Sequence, residues 1–539
     1  MKFKQSCYFC LLLFSFGSCA IQVPPDGGNK DLEPPHIISS SPSNYSTSFK
    51  GHYIRLDFDE FISLNEISSQ LIVSPLLNYP VETKIRKKSL FIHIQDTLLE
   101  NSTYTMNFGQ GITDYNEGNK LDNFQFVFST GTVIDSLEIG GKVEAAFDHK
   151  SSKGILALLY RGNSDSLPYI ERPLYFAQTN DSGLFKIRNI SPGYYKLIAL
   201  KDKDGNYLYL KGEELIGSPD TLIKAGTENI DLKIFSEIPK IRFLRAYSEF
   251  PGKAVIVFNA SADTIKWQWL TDTTKLKIYS LNYSKEHDTI NIWYKNITAD
   301  SISFRFDNYS MSDTVTIRLF KNTEGNFGRK KVGFSINPGT SQTIRQHLHL
   351  PFYLQSNHPI STTEFNKIIL LEDSIPVKPE FIFMDSLHLQ LQTEFKWKSK
   401  GSYSLFIPPG TFTDIYGTKN DTLQFIFTAH EETDYGSIKL FLKKTDDMPY
   451  IVQLIDDGGM YIYREFKCNH DTTVLLSNID PGIYKVKLIR DRNGNGKWDT
   501  GNYLDHIQPE EIEFYHEGIT VRANWDVDVY IKAPLSTDK

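Results

Sequence analysis

A chain of 539 residues is too long for one hydrophobic core, and at roughly 100 to 150 residues per domain it holds about four or five. The 34 Gly and 24 Pro beside 36 Phe and 29 Tyr favour many short strands separated by turns and disfavour an all-helical chain. The net charge is only −7, and Lys and Arg are scattered, which sets nucleic acid aside as a partner.

The chain opens on an export signal. Lys2 and Lys4 supply a positive start, and an apolar run from Cys7 to Phe16 ends in Phe16-Gly17-Ser18-Cys19. Its apolar core of about ten residues falls short of the roughly 20 that a spanning helix needs, so a cleaved signal is expected over residues 1–18 rather than a membrane span. Residues 19–34 form a Pro/Gly/polar stretch that suits a flexible tether. The remaining cysteine, Cys468, leaves no partner for a disulfide in the mature chain and is expected to be a small buried residue.

Period-two alternation then dominates. Ile54, Leu56 and Phe58 alternate with Arg55 and Asp57, Leu90, Ile92 and Ile94 with Phe91 and His93, and Phe124, Phe126 and Phe128 with Gln125 and Val127. The same pattern returns at Val255 and Val257, at Ile302, Phe304 and Phe306, at Val315, Ile317 and Leu319, at Leu387, Leu389 and Leu391, and at Leu423, Phe425 and Phe427. No apolar stripe of helical period lasts three turns, so any helix should be short. The fold class is all-β, a tandem of antiparallel β-sandwich domains.

Internal repetition divides the chain. NISPGYYKLIALKDKDGN from Asn189 and NIDPGIYKVKLIRDRNGN from Asn478 lie in register at an offset of 289, and the match continues through Gly212 with Gly501 and Leu215 with Leu504. A weaker pair joins the stretch from Tyr104 to the stretch from Tyr403, each running strand, Asp-and-Gly turn, Phe-alternating strand. The expected domains are 35–133, 134–236, 237–340, 341–430 and 431–535, in the order A, B, middle, A′, B′.

These motifs carry resemblances. Gly17 and Ser18 directly before Cys19 resemble the lipobox of bacterial lipoproteins, although Phe16 stands where Leu is usual; the resemblance implies diacylation of the Cys19 thiol. The A segments, with Pro-Pro before HYIRLDFDEFI and a closing FQFVFST, resemble the bacterial Ig-like domains first named in an S-layer protein. The B segments, marked by Pro-Gly-x-Tyr before an apolar strand, resemble prealbumin-like or Cna-B-type sandwiches of surface proteins. The tether followed by an Ig-like segment is similar to lipoproteins of the Bacteroidetes. The middle segment shows strands and is expected to be an Ig-like sandwich.

One pattern has ligand spacing. Asp491, Asn493, Asn495, Gly496 and Asp499 occupy positions 1, 3, 5, 6 and 9 of an EF-hand-like loop, with Asn502 where position 12 needs a bidentate acid. The first copy offers Asp202, Asp204 and Asn206, with Glu213 at position 12 but Leu210 at position 9. Two readings stand: turn formers closing Asx-turns between strands, or a site for Ca²⁺. Asp114, Asn116 and Gly118, with Asp414 and Gly417, read as turn residues. His347, His349 and His358 have no acid at metal-ligand spacing and read as a solvated strand face. Trp267, Trp269, Trp293 and Trp397 suit buried cores, with a glycan-stacking platform as the alternative.

No G-x-S-x-G, H-E-x-x-H, P-loop or paired cysteines occur, and the expectation is a non-enzymatic, lipid-anchored envelope protein acting as a modular spacer and interaction scaffold. The alternatives are a carbohydrate- or peptide-binding lipoprotein for nutrient capture or adhesion, and an enzyme with a scattered site. Expected partners are the membrane through the lipid, and envelope proteins or glycans. Ala20 rather than Asp after Cys19 favours the outer membrane and leaves the face open.

Overall fold

A computed structural model describes residues 31–122, 124–271, 278–284, 286–294, 300–308, 311–319, 333–338 and 345–534. The export signal, Cys19 and most of the tether lie outside the described residues. The chain is nearly all β, in antiparallel sheets with few parallel pairs. Among the described residues the two α-helices span four residues each, Ile67–Gln70 and Leu167–Ile170.

Among the described residues, buried apolar side chains gather into five main cores along the chain and three smaller clusters. The first joins the sheet of Ile37–Ser41, Tyr53–Phe58, Ser89–His93 and Glu82–Arg86 to that of Ile72–Ser74, Thr103–Asn107 and Gln125–Ser129. Alternation does what it should here: Ile54, Leu56 and Phe58 from one sheet meet Met106, Phe126 and Phe128 from the other, while Tyr53 and Arg55 face out.

The repeated motifs turn out to be staples. In the second module the Tyr195 hydroxyl donates to the Ser191 carbonyl at 2.8 Å, and in the fifth Tyr484 donates to the Asp480 carbonyl at 2.7 Å. Pro-Gly-x-Tyr thus pins the entry to a central strand, and Asn189 and Asn478 before it both take left-handed backbone (φ 56 and 58). In the first and fourth modules Tyr104 and Tyr403 each accept an N–H five residues upstream, from Leu99 at 2.8 Å and Lys398 at 2.7 Å.

The second and fifth modules place their first strand alike. Leu137–Ala145 runs antiparallel to Leu184–Ile190 and parallel to Ile230–Ser236, and Gly436–Lys444 is placed the same way between Thr472–Ile479 and Asp526–Ala533. The parallel pair needs a close approach at Gly141, where a Cβ would stand 2.1 Å from the Ile230 carbonyl oxygen. The facing sheet of the fifth module orders Ile462–Cys468, Tyr450–Asp456, Gly482–Arg490 and Ile512–Val521. Cys468 is buried, its thiol 3.1 Å from the His470 carbonyl.

The middle module packs the sheet that holds Lys253–Phe258 onto the three-stranded sheet of Lys266–Trp269, Ser301–Asn308 and Met311–Arg318. Ile302, Phe304 and Phe306 point into its core, as do Val315, Ile317 and Leu319. The strand at 253–258 corrects the sequence reading: Ala254, Ile256 and Phe258 fill the core, and Val255 and Val257 take the opposite face. Apolar residues on both faces hid the phase. Leu387 and Leu389 are likewise not strand residues. They sit in a turn before Gln390–Glu394, where Asp385 accepts the N–H groups of Leu387, Leu389 and Gln390.

Trp397 is 4% exposed and donates to the Leu350 carbonyl, Trp293 is 2% exposed and donates to Asn282, and Trp267 and Trp269 pack on Phe304. These four indoles are spent on packing rather than on a surface platform. The histidines do not form a solvated strand face either. The His347 ring lies tilted against Tyr435 at 4.4 Å, where burial lowers its pKa, His349 pairs with Glu432 at 2.9 Å, and His358 is buried against Asp414 at 2.8 Å.

Candidate functional site

The first acidic loop leaves strand Tyr194–Lys201 and returns through strand Leu215–Gly217. Asp202 closes it from within, accepting the N–H groups of Gly205 and Tyr207, each at 2.8 Å. Ligand-type oxygens of Asp202, Asp204 and Glu214 lie within 4.8 Å of one another. Asn206 caps locally, receiving the Leu208 N–H at 2.6 Å and donating to Asp204 at 2.8 Å.

Glu213, which the loop spacing singled out, is a correction. Its carboxylate turns out to Arg242 of the next module, whereas buried Glu214 faces Asp202 and accepts the N–H groups of Lys203 at 2.7 Å and Leu210 at 2.9 Å. The acid that closes the loop sits one residue later because it must point inward from the start of a strand. Glu213→Ala is therefore expected to cost under about 1 kcal/mol, as an exposed ion pair does. Glu214→Ala, which orphans two N–H groups, should cost about 1–3 kcal/mol. Urea unfolding of the two variants separates them.

The second loop runs from strand Gly482–Arg490 to strand Ile512–Val521. Glu510 plays the part of Glu214: it is buried and accepts the N–H groups of Arg492 at 2.6 Å and Asp499 at 3.0 Å. Sequence spacing missed both glutamates. Asp491 is 1% exposed; its Oδ2 takes the Gly496 N–H at 2.8 Å across the turn, and its Oδ1 has no hydrogen-bond partner. Asn493 and Asn495 both donate to Asp499 Oδ2. Asn502, at position 12, instead exchanges backbone hydrogen bonds with Ile507. Burial raises the pKa of Glu510, and the charges of Asp499 and Asp491 push it the same way.

The two copies diverge beyond the turn. Gly212 precedes Glu214 by two positions, but Gly501 precedes Glu510 by nine. The inserted segment docks on the second module. Tyr503 enters a pocket with Leu158, Tyr160, Ile216 and Phe235, under Lys196, whose Nζ is 5.5 Å from its ring. Its N–H donates at 3.0 Å to Glu237, which is 2% exposed and also holds the Tyr209 hydroxyl at 2.6 Å and Lys211 at 3.1 Å. Thr500 donates to the Ser236 carbonyl at 2.6 Å, Gln508 to Asp220 at 2.9 Å, and His506 meets Asp165 at 3.1 Å. Beside them Ile451, Ile489 and Ile512 cover the outer face of the sheet, Trp498 meets Phe147 edge-on at 5.0 Å, and Lys487 Nζ lies 3.5 Å over the Phe147 ring. Modules far apart in sequence are thus packed together, and the chain does not run as an open string.

Residues 31–130 match the family model of the bacterial Ig-like domain. A search of the curated proteins finds no match. Among solved structures the chain aligns with the major pilin subunit BcpA of Bacillus cereus, at 12% identity over 74% of this chain and 99% of that one, TM-score 0.14. It aligns with the Bacillus anthracis TIE protein at 10% identity over 94% and 76%, TM-score 0.15, and with the S-layer protein rSbsC(31-844) at 9% identity over 90% and 66%, TM-score 0.14. The first of the five modules is thereby similar in sequence to the bacterial Ig-like domain.

Proposed function

We propose that this chain is a non-enzymatic cell-envelope scaffold, exported, lipid-anchored through Cys19 to the outer membrane, and stiffened by Ca²⁺ in its two acidic loops. The observation that carries the scaffold reading is the interface centred on Tyr503 and Glu237, where conspicuous polar and aromatic groups serve packing between modules. Supporting it, the repeated Tyr staples and Asp turns hold strands in place. Envelope proteins are the partners this reading favours.

For calcium, the convergence of Asp202, Asp204 and Glu214 and the unpartnered Asp491 oxygen suit a hard cation that takes oxygen ligands. A ligand that binds only the folded state raises stability by RT ln(1 + [L]/Kd). Thermal melts in excess Ca²⁺ should lie above those in chelator; superimposed curves with flat calorimetry would remove the metal from the proposal. For the anchor, mass spectrometry of the N-terminal peptide should find acyl mass on Cys19, and Cys19→Ala should release protein from the membrane fraction. Unmodified Cys19 in a membrane-bound protein would refute it.

A further inference from the structure

Two observations meet in the 491–510 loop. Asp491 is 1% exposed, is turned into the loop by the Gly496 N–H on Oδ2, and has no partner on Oδ1. Three carboxylates, of Asp491, Asp499 and Glu510, share this loop; Lys467 reaches the Gly494 carbonyl, and Arg492 donates to the carbonyls of Gln508 and Pro509 rather than to these carboxylates. A buried carboxylate oxygen with nothing to accept from is costly unless a proton or a metal ion meets it.

The same loop is the docking element. Trp498, between Asn495 and Asp499, donates to the Glu510 carbonyl at 2.9 Å and packs on Phe147 of the second module. Thr500 and Tyr503 come just after Asp499 and bind the Ser236 carbonyl and Glu237. Gly501 fits closely against Phe235, since a Cβ there would stand 2.7 Å from its ring. Asp499 and Glu510 are thus joined through a few residues of chain to the groups seated in the second module. The first loop has no such insertion between Gly212 and Glu214.

We propose that the 491–510 loop is a cation-dependent latch: a divalent cation held by Asp491 and Asp499 fixes the loop in the form that seats Tyr503 against Glu237. Binding of the ion and docking of the fifth module on the second are then linked, each strengthening the other by the same factor. This rests on the calcium reading given above, yet the two fail separately.

The test is Ca²⁺ affinity of the mature chain, measured by calorimetry with Tb³⁺ luminescence as the second probe, in wild type, Tyr503→Ala and Glu237→Gln. Selective excitation of Trp498, in place of the tyrosines Tyr207 and Tyr209 of the first loop, makes Tb³⁺ luminescence report this site. Glu237 follows directly on strand Ile230–Ser236 of the second module and touches no proposed ligand, so an effect there has to travel through the latch. Both variants should weaken this site by about 5- to 150-fold, the usual range of coupling between sites, and Asp491→Asn should abolish it. Circular dichroism that matches wild type certifies each variant, and Glu237→Gln covers the case in which Tyr503→Ala unfolds. Unchanged affinity in a folded Glu237→Gln chain overturns the latch while leaving calcium binding intact. Absence of binding in wild type overturns both.

Discussion

Asp414→Ala should destabilise the fourth module by about 3–5 kcal/mol, because it orphans several buried groups at once. Asp414 is 1% exposed; its Oδ1 accepts the N–H groups of Tyr416 at 2.9 Å and Thr418 at 2.7 Å, and its Oδ2 meets His358 Nδ1 at 2.8 Å. His358 is 3% exposed, with Phe250 of the third module 5.2 Å from its ring, and Tyr416 donates to the Gly252 carbonyl at 2.7 Å. The turn therefore holds the junction with the third module, in which Phe250 and Trp293 pack against Leu387 and Ile415. Its counterpart Asp114 accepts three backbone N–H groups without a buried imidazole, so Asp114→Ala should cost less, about 1–3 kcal/mol. Urea titrations of both variants decide: equal losses would show that His358 adds nothing to the turn.

Lys487→Met should stabilise the interface between the second and fifth modules near neutral pH, by about 1–2 kcal/mol. Lys487 is 5% exposed, and burial pushes its pKa down to about 8. Unfolded, the amine titrates near its ordinary value of about 10.4. The folded chain thus binds fewer protons than the unfolded one between these values, and stability rises with pH across that window. The shift corresponds to at most about 3 kcal/mol, of which contact with the Phe147 ring offsets about 1–2 kcal/mol. Wild type should gain stability from about pH 8 to about pH 10, and the methionine variant should be more stable at pH 7 and lack that rise. A parallel pH profile in the two proteins would contradict the buried-amine account.

How much of this was legible in the sequence depends on the range of the physics. Strands announced themselves wherever one face is buried and the other wet, as at Ile54, Leu56 and Phe58. The phase was lost at Val255 and Val257, where both faces carry apolar side chains. The loops were located by Asp and Asn spacing, and Asp202, Asp204, Asp491 and Asp499 do belong to them. The glutamates that clasp the loops were not, because Glu214 and Glu510 come from the segment leading into the returning strand, at a distance in sequence that a twelve-residue template does not encode. Tyr503 was invisible for a stronger reason: its partner Glu237 is 266 positions away. The one local trace is an aromatic residue in a polar loop.

Small-angle X-ray scattering of the chain in calcium distinguishes modules packed against one another from sandwiches strung end to end. A folded-back body, with the fifth module seated on the second through Tyr503 and Glu237, predicts a compact pair-distance distribution that lengthens in Tyr503→Ala. An elongated distribution in wild type, unchanged by Tyr503→Ala, would contradict it.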